Sequence, residues 1–482
     1  MNMLRATLMS AGLAAASAAP AQTVTLAAAG DLIISRPLSM LSASGAFPYG
    51  QSFKAILDTI APSDIVYGNM ETSIFDARSF GGYPYSWNGD WMLTALPAVA
   101  PDLKTMKFGI LSRANNHALD WGVDGMRATI ANLDAAGLVS AGTGETLAEA
   151  ASPAYLASPK GRVAIVSMVS TYRPTTDALA PAASAPYGRP GVNGLAVHQV
   201  AVVDAASYAT LSAIQCSFTS ATSCSAADRL DFLGETVRTA GGGETPFTYS
   251  YEVDQTDLAR QRNSVREAKA NVAYVLATIH AHEALTEEAP PTTWQDPATF
   301  LQPVAHDMID AGADAFIVTG IHHVAGIEIY KNRPIFYGLG NFFWSDIQEP
   351  LSEELYESIA NRALFEQAFD YPSRATDADI TNIINANSSF ATSGPVSDNR
   401  TFQTVLTKTA FDQGTGKVMS IAIYPVALGY GEKLTRSGIP RQADATIANL
   451  ILDRIISLSA NRGIAIRKTT ENGYVIGVAT PQ

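Results

Sequence analysis

Cysteine is scarce in this sequence, since its 482 residues include only Cys216 and Cys224. Two thiols at this spacing do not make up the ligand set of a thiolate metal site, so cysteine-based metal chemistry is excluded. In an oxidising compartment the pair could close a small loop. The sequence therefore predicts a disulfide between Cys216 and Cys224.

Positive charge is also in short supply. The chain has 32 lysine and arginine residues against 45 aspartate and glutamate residues, which gives a formal net charge of −13. Such a chain repels a nucleic-acid backbone and an anionic membrane surface, and we expect no nucleic-acid partner. An anionic substrate would have to be held locally, by a bound metal ion.

Long apolar runs are absent beyond the N-terminus. Residues 1–21 contain Arg5, then a run rich in alanine, leucine and methionine, and they end in Ala19-Pro20-Ala21. This pattern is typical of a secretory signal peptide, and the run is short for a membrane span of about 20 residues. We predict a mature chain that begins at Gln22, is secreted into the periplasm and has no transmembrane span after cleavage.

Motifs for nucleotide binding and serine hydrolysis are missing. Gly142-Thr143-Gly144 lacks the spacing of a dinucleotide-binding loop. Neither the phosphate-binding loop Gly-x-x-x-x-Gly-Lys-Ser/Thr nor the nucleophile elbow Gly-x-Ser-x-Gly stands at the end of a predicted strand. Disorder is not indicated either, because 47% hydrophobic and 16% charged residues are ordinary for a globular enzyme.

Polar residues do follow the predicted strands directly. Asp31 comes after the apolar segment 24–28, and Asn69 and Glu71 come after the segment 64–67. Loops at the carboxyl ends of strands carry the chemistry of open α/β sheets, and in an extended chain Asn69 and Glu71 share a face. These three side chains are therefore candidate metal ligands at the strand ends of an α/β fold.

The stretch Ala114–Gly122 follows another apolar run, at 108–111. In this stretch the Asn116 amide oxygen offers one metal ligand, and the neighbouring His117 imidazole offers a proton-transfer group. Asp120, about one turn further on, is placed to orient the His117 ring. The sequence thus predicts His117 and Asp120 as the catalytic residues.

Five of the seven histidines come just after apolar strands. They are His117, His280, His282, His322 and His323. In an extended chain His280 and His282 lie on one face. Carboxylate, amide and imidazole ligands without thiolate suit Mn, Fe or Zn, and two ions about 3.5 to 4 Å apart are usual where so many ligands converge. We predict a site for one or two divalent metal ions.

The order of these motifs resembles the CapA family, the capsule and poly-γ-glutamate synthesis proteins. The matching stretches are Gly30-Asp31, Gly68–Thr72, Asn115–Gly122, Arg189–Asn193, Ile279–Glu283 and His323–Phe342. The resemblance implies a calcineurin-like metallophosphoesterase fold, an α/β four-layer sandwich in which helices cover two central sheets. It also implies that His117 is a general acid and that five residues are metal ligands: Asp31, Glu71, Asn116, His280 and His323.

The sequence departs from the family's pattern at two places. Ile33 stands where other metalloesterases usually carry a histidine, and the earlier histidine of the last motif falls on Gly320 or Ile321. Adjacent residues of an extended chain point to opposite faces, so His322 compensates only in part unless the loop twists. We therefore predict a tight ion and a weaker ion. The tight ion is held by Asp31 and His323 with Glu71 bridging, and the weaker one by Asn116, His280 and His282.

The chain divides into four predicted parts. After the signal peptide at 1–21, residues 22–345 form a metallophosphoesterase-like core in which 200–270 are an insertion or cover. Residues 346–400 form a polar, partly helical excursion over the site. Residues 401–482 add a β-hairpin, an amphipathic helix and a second hairpin packed on the core.

The sequence leaves three functions open. The first is a periplasmic metal-dependent hydrolase that acts on a phosphate ester or a cell-envelope polymer. The second, which the resemblance implies, is a non-catalytic accessory role in the synthesis or export of an anionic polymer such as poly-γ-glutamate. The third is metal-assisted cleavage of a peptide amide or epimerisation at its α-carbon, because a Lewis acid and paired histidines serve either reaction. The expected partner is thus a small molecule or an envelope polymer.

Overall fold

The computed structural model describes most of the chain. The described residues are 23–43, 50–83, 92–172, 175–182, 186–219, 228–284, 297–345, 398–432 and 436–482. The predicted signal peptide lies outside these ranges, and so does the predicted excursion at 346–400 apart from its last three residues.

Among the described residues, ten strands form the first sheet. They are β1 (Thr23–Ile34), β2 (Ile65–Met70), β5 (Ile110–Ser112), β6 (Val139–Ala141), β19 (Asn341–Ser345), β20 (Gln403–Asp412), β21 (Val418–Ala427), β22 (Arg441–Gln442), β23 (Ile464–Glu471) and β24 (Tyr474–Pro481). The main order is β23-β24-β21-β20-β1-β2-β5-β6. The half from β1 to β6 is parallel, and the C-terminal half is antiparallel.

A second sheet contains six described strands in the order β17-β18-β16-β15-β9-β8. They are β8 (Ala154–Ser158), β9 (Gly161–Val169), β15 (Tyr274–His280), β16 (Ala315–Thr319), β17 (Ile327–Tyr330) and β18 (Arg333–Phe336). The inner four are parallel and the two edge strands are antiparallel. Every residue of β15 and β16 is buried, as expected of parallel strands that are covered on both faces.

Helices and short strands complete the described structure. The helices are α1 (Leu38–Ala43), α2 (Gly50–Ile60), α3 (Val99–Thr105), α4 (Gly122–Ala135), α5 (Leu147–Ala151), α6 (Ala205–Thr219), α7 (Gln255–Asn271), α8 (Leu301–Ala311) and α9 (Ala445–Leu458), with a 3₁₀ helix at Asn399–Phe402. The remaining strands are β3 (Ser73–Ile74), β4 (Thr94–Ala95), β7 (Thr143–Gly144), β10 (Gly191–Val192), β11 (Val197–Val203), β12 (Arg229–Phe232), β13 (Glu235–Thr239) and β14 (Thr248–Val253). None of the described helices combines the length and apolar character that crossing a membrane requires.

Three apolar cores stack these elements into four layers. The central core joins the two sheets, with Leu26 and Tyr67 from the first packed with Ile165 and Leu276 from the second. An outer core lies between the first sheet and the helices α2, α3 and α4. Another lies between the second sheet and the helices α7 and α8. The predicted α/β four-layer sandwich is therefore confirmed.

The predicted insertion at 200–270 contains two different structures. Strands β11 to β14 form a separate four-stranded sheet, and α6 packs beside it. Helix α7 instead buries Leu258, Val265 and Ala268 in the core of the second sheet, so it is a covering helix of the sandwich. Cys216 on α6 is disulfide-bonded, and Cys224 lies outside the described residues.

The strand register brings the polar strand ends into line. In the first sheet Asp31 pairs with Asn69, which in turn pairs with Ser112, and in the second His280 pairs with Thr319. A β-bulge precedes Asp31, at a point where the chain passes against Gly340. A Cβ atom on Gly30 would lie 1.7 Å from the Gly340 carbonyl oxygen, so only glycine fits there.

Candidate metal centre

The carboxylate of Asp31 ties the two sheets together at their carboxyl ends. Its Oδ1 accepts a hydrogen bond of 2.8 Å from Asn69 Nδ2 in the first sheet. Its Oδ2 accepts one of 3.2 Å from the Gly320 amide, which follows β16 of the second sheet. The Asp31 side chain is fully buried, so the fold fixes this carboxylate between the sheets.

The amide oxygen of Asn69 is engaged by other side chains of the protein. Its Oδ1 accepts hydrogen bonds from Ser112 Oγ at 2.9 Å and from Asn115 Nδ2 at 3.3 Å, while its Nδ2 lies 3.1 Å from His280 Nδ1. Because the protein's own donors occupy the amide oxygen, we revise the predicted role of Asn69 from metal ligand to orienting group for Asp31 and His280. The strand-end pattern could not distinguish these two roles.

Glu71 stands at the middle of the site. Its side chain is fully buried, and neither carboxylate oxygen has a hydrogen-bond partner within the described structure. Burial raises the pKa of Glu71 well above its usual value, and the carboxylates of Asp31 and Asp120 raise it further. A buried carboxylate without donors is costly, and a cation would offset that cost, so the donor set fits a metal ion.

Glu71 belongs to two groups of metal-compatible side chains. In each group the ligand atoms all lie within 4.8 Å of one another. One group contains Glu71, His280 and His282, and the other contains Asp31, Glu71 and His322. This sharing agrees with the predicted bridging position of Glu71 between two ions.

His280 and His282 face each other across the site. Their Nε2 atoms lie 3.0 Å apart, and His280 Nε2 lies 3.7 Å from Glu71 Oε1. Burial and the neighbouring histidines lower the pKa of both rings well below the usual value, which keeps them in the neutral form that binds metals. Gly320 leaves room for them at a φ of 98°, since a Cβ there would lie 2.7 Å from His282 Cδ2.

The structure exchanges the predicted roles of His322 and His323. His322 Nδ1 lies 2.8 Å from its hydrogen-bond partner Asn341 Oδ1 and 3.6 Å from Asp31 Oδ2, and the ring packs edge-on against Trp344. His323 points elsewhere, with Nε2 3.2 Å from Thr401 Oγ1 and 3.6 Å from Asp398 Oδ2. His322 has a φ of 55°, which twists the loop and turns its side chain into the site. The structure therefore places His322 beside Asp31, where His323 was expected.

The turn after β5 brings the predicted catalytic pair beside Glu71. His117 Nδ1 lies 2.8 Å from Asp120 Oδ2, which also accepts a hydrogen bond of 2.7 Å from the Leu93 amide. The other ring nitrogen of His117, Nε2, lies 3.9 Å from Glu71 Oε1. Asn116 Oδ1 is buried and has no hydrogen-bond partner within the described ranges, so it remains open to a cation.

Arg113 is a structural residue of the site that the strand-end pattern did not reveal. Its buried guanidinium donates to the Met70 carbonyl at 2.9 Å and to the Thr72 carbonyl at 3.2 Å, on either side of Glu71. It also donates to the Ala118 carbonyl at 3.5 Å, between His117 and Asp120. Burial lowers the pKa of Arg113 to about 10, which leaves it charged at neutral pH. In the sequence, the feature that could have indicated this role is the position of Arg113, a charged residue directly before Ala114-Asn115.

Comparisons with known proteins give a matching family model, relatives in sequence and a solved structure. The family model described as bacterial capsule synthesis protein PGA_cap matches residues 25–345. Two proteins of Sinorhizobium fredii (strain NBRC 101917 / NGR234), described as uncharacterized proteins y4sH and y4uA, are each 36% identical to this chain over 447 residues. These matches cover 92% of this chain and 90% of each relative. A crystal structure of a phosphatase from Mycoplasma pneumoniae aligns with a TM-score of 0.37 and 10% identity, over 89% of this chain and 98% of the phosphatase.

Proposed function

This chain belongs to the bacterial capsule synthesis protein family, and we propose that it is a metal-dependent hydrolase that acts on a phosphate ester of the cell envelope. The family resemblance expected from its motifs is thereby confirmed. The observation that supports hydrolysis is the Glu71 carboxylate, which is buried, lacks hydrogen-bond donors and is shared by two ligand groups next to His117. A purely structural carboxylate would be expected to have donors of its own.

In this proposal, one set of side chains in the site would bind ions and another would transfer a proton. Asp31 and His322 would hold one ion, His280 and His282 would hold the other, and Glu71 would contribute to both. Asn116 Oδ1 adds an open oxygen donor. When bound, divalent ions supply Lewis acidity that stabilises the negative charge of a phosphoryl group.

His117 is placed to act as the general acid. Asp120 accepts from the Nδ1 side of the ring, which leaves Nε2 directed toward the ligand cluster. In the imidazolium form, which the Asp120 carboxylate stabilises, Nε2–H can protonate the leaving oxygen of an ester held by the cluster, and the ring is left neutral. The Leu93 amide fixes Asp120, so the ring keeps its orientation during this step.

Hydrolysis of an activated phosphodiester tests this proposal. The mature protein, freed of metal with a chelator and reloaded with Mn²⁺, should hydrolyse bis(p-nitrophenyl) phosphate, whereas the metal-free protein should not. The Glu71→Gln variant is the matched control because it removes the shared charge and keeps the size of the side chain. Equal activity of the loaded and metal-free proteins would refute a metal-dependent hydrolase.

A non-catalytic role in capsule synthesis is the second candidate, and the family description favours it. The same cluster would then bind a phosphate or carboxylate group of a polymer without cleaving it. Mn²⁺-dependent binding of an anionic polymer, with no turnover of any phosphoester, would support this role over hydrolysis.

Export is part of the proposal in either case. The pattern of residues 1–21 supports a cleaved signal peptide, although these residues lie outside the described structure. N-terminal sequencing of exported protein should begin at Gln22, and an intact Met1 would contradict it.

A further inference from the structure

A polar cavity of about 300 Å³ lies between α2 and the C-terminal strands of the first sheet. Its polar lining comes from five parts of the chain and includes Asp58, Lys408, Tyr424, Gln442, Glu471 and Tyr474. The volume is at the lower end of the range for small-molecule sites, which is about 300 to 1,000 Å³. The cavity is therefore large enough for one small ligand.

Two alanines flank Lys408 in the first sheet. Lys408 on β20 pairs with Ala27 on β1 and with Ala422 on β21. Directly paired residues project from the same face of a sheet, so two small side chains flank the long one. Both alanines belong to the apolar core under α2 or pack against it. The long Lys408 side chain thus lies between two small residues and lines the cavity together with residues of α2.

The charge of Lys408 is not balanced by a contact. Within the part of the chain that the structure describes, this half-buried lysine makes no ion pair within 4.0 Å and no hydrogen bond. Both nearby carboxylates are engaged elsewhere. Asp58 pairs with Lys54 at 2.6 Å, and Glu471 Oε1 accepts from Tyr424 Oη at 3.1 Å. A partly buried cation of this kind favours an anionic ligand group.

We propose that this cavity is a binding site for a hydroxylated monocarboxylate, the chemistry of a sugar acid. One ammonium balances one carboxylate, whereas the second negative charge of a phosphate dianion would stay unbalanced beside Asp58 and Glu471. Ionised carboxylates only accept hydrogen bonds, so a ligand that meets them must donate, as sugar hydroxyls do. Tyr474 and Gln442 also line the cavity.

The site is separate from the metal centre. Ala27, which pairs with Lys408, precedes Asp31 by four residues on β1, a distance of roughly 13 Å along a strand. None of the residues that line the cavity belongs to the metal-compatible groups. The inference therefore does not rest on the proposed hydrolase function, and ligand binding is measured on its own.

Calorimetric titration of the full mature protein tests the proposal. D-glucuronate should bind with a Kd on the order of 1 mM, and D-glucose, which has the hydroxyls but no charge, should bind at least about ten-fold more weakly. D-glucose 6-phosphate, a dianion at pH 8, should also bind more weakly than glucuronate. Failure of glucuronate to bind at about 50 mM, or tighter binding of the phosphate, would overturn the assignment.

Lysine variants locate the binding to this cavity. Lys408→Met should weaken glucuronate binding by about ten-fold or more, and Lys408→Arg should retain most of it. Lys417→Met is the matched control, because Lys417 is an exposed lysine near the turn of the same hairpin. Equal binding by Lys408→Met and Lys417→Met would refute the site.

A variant of Glu471 tests the proposal if Lys408→Met does not fold. Glu471→Gln keeps the lysine and removes the negative charge that rejects a dianion. We expect its preference for glucuronate over glucose 6-phosphate to fall, and an unchanged preference would count against the assignment.

Discussion

His322 and His323 are neighbours in sequence, yet their surroundings predict opposite effects of the same substitution. His322 lies beside Asp31 in a metal-compatible group and has 12% of its side chain exposed. His323 is 1% exposed and lies against Thr401 and Asp398. We expect His322→Ala to weaken metal binding and His323→Ala to lower the free energy of unfolding.

The magnitudes follow from these contacts. Loss of an outer partner of a metal ligand typically costs about 10- to 100-fold in affinity, and loss of His322, which we propose as a ligand, should cost at least as much. Truncation of His323 leaves a cavity and removes a partner from the buried Thr401 hydroxyl and from the partly buried Asp398 carboxylate, which together cost about 2 to 4 kcal/mol. That loss is a large fraction of a typical stability of about 5 to 15 kcal/mol.

Two measurements separate the variants. Titration of chelator-treated protein with Mn²⁺, followed by the electron paramagnetic resonance signal of free Mn²⁺, reports metal affinity. Urea unfolding of the metal-free proteins reports stability. His198→Ala is the control, since His198 is exposed on β11 and outside the site. Weaker metal binding in His323→Ala than in His322→Ala would refute the exchange of roles.

Three further predictions follow from the same geometry. His117→Asn should lower turnover about 100-fold or more at unchanged metal content, and Asp120→Asn should have a milder effect, as checked by steady-state kinetics and elemental analysis. Arg113→Met should lower the free energy of unfolding by about 1 to 3 kcal/mol, since it removes a buried donor from the Thr72 and Ala118 carbonyls, and urea unfolding measures this. Burial lowers the pKa of His323 to about 3, below the 6.5 of an unfolded chain, so its contribution to stability is present above pH 6.5 and is lost as the pH falls toward 3. At pH 5 the protonation of His323 should lower the free energy of unfolding of the metal-free protein by about 2 kcal/mol. This loss should be absent in His323→Gln.

The strand ends of the site could be predicted from the sequence because short-range patterns encode them. Apolar runs before Asp31, Glu71 and His280 correspond to β1, β2 and β15 in the structure. The family resemblance supplied the four layers, which the three stacked cores confirm. Both inferences depend on hydrophobic periodicity and motif order, which a single chain displays directly.

The exact ligand set depends on geometry that the sequence does not display. Alternation along an extended chain placed His322 on the wrong face, because a φ of 55° at that residue reverses the rule. Asn69 looks like a ligand in the sequence, but its amide oxygen accepts from Ser112 and Asn115 across neighbouring strands. Such contacts arise from strand register, which local patterns specify only weakly.

The electrostatics of the site link substrate capture to metal loading. The chain has a net charge of −13, and three carboxylates of the site, on Asp31, Glu71 and Asp120, are fully buried. Arg113 directs its guanidinium at backbone carbonyls, so this cation supports the loops instead of receiving substrate. Without ions, an anionic ester would meet a cluster of negative charge and would be repelled. Divalent ions reverse the local sign, and we therefore expect the affinity for an anionic substrate to rise with metal occupancy.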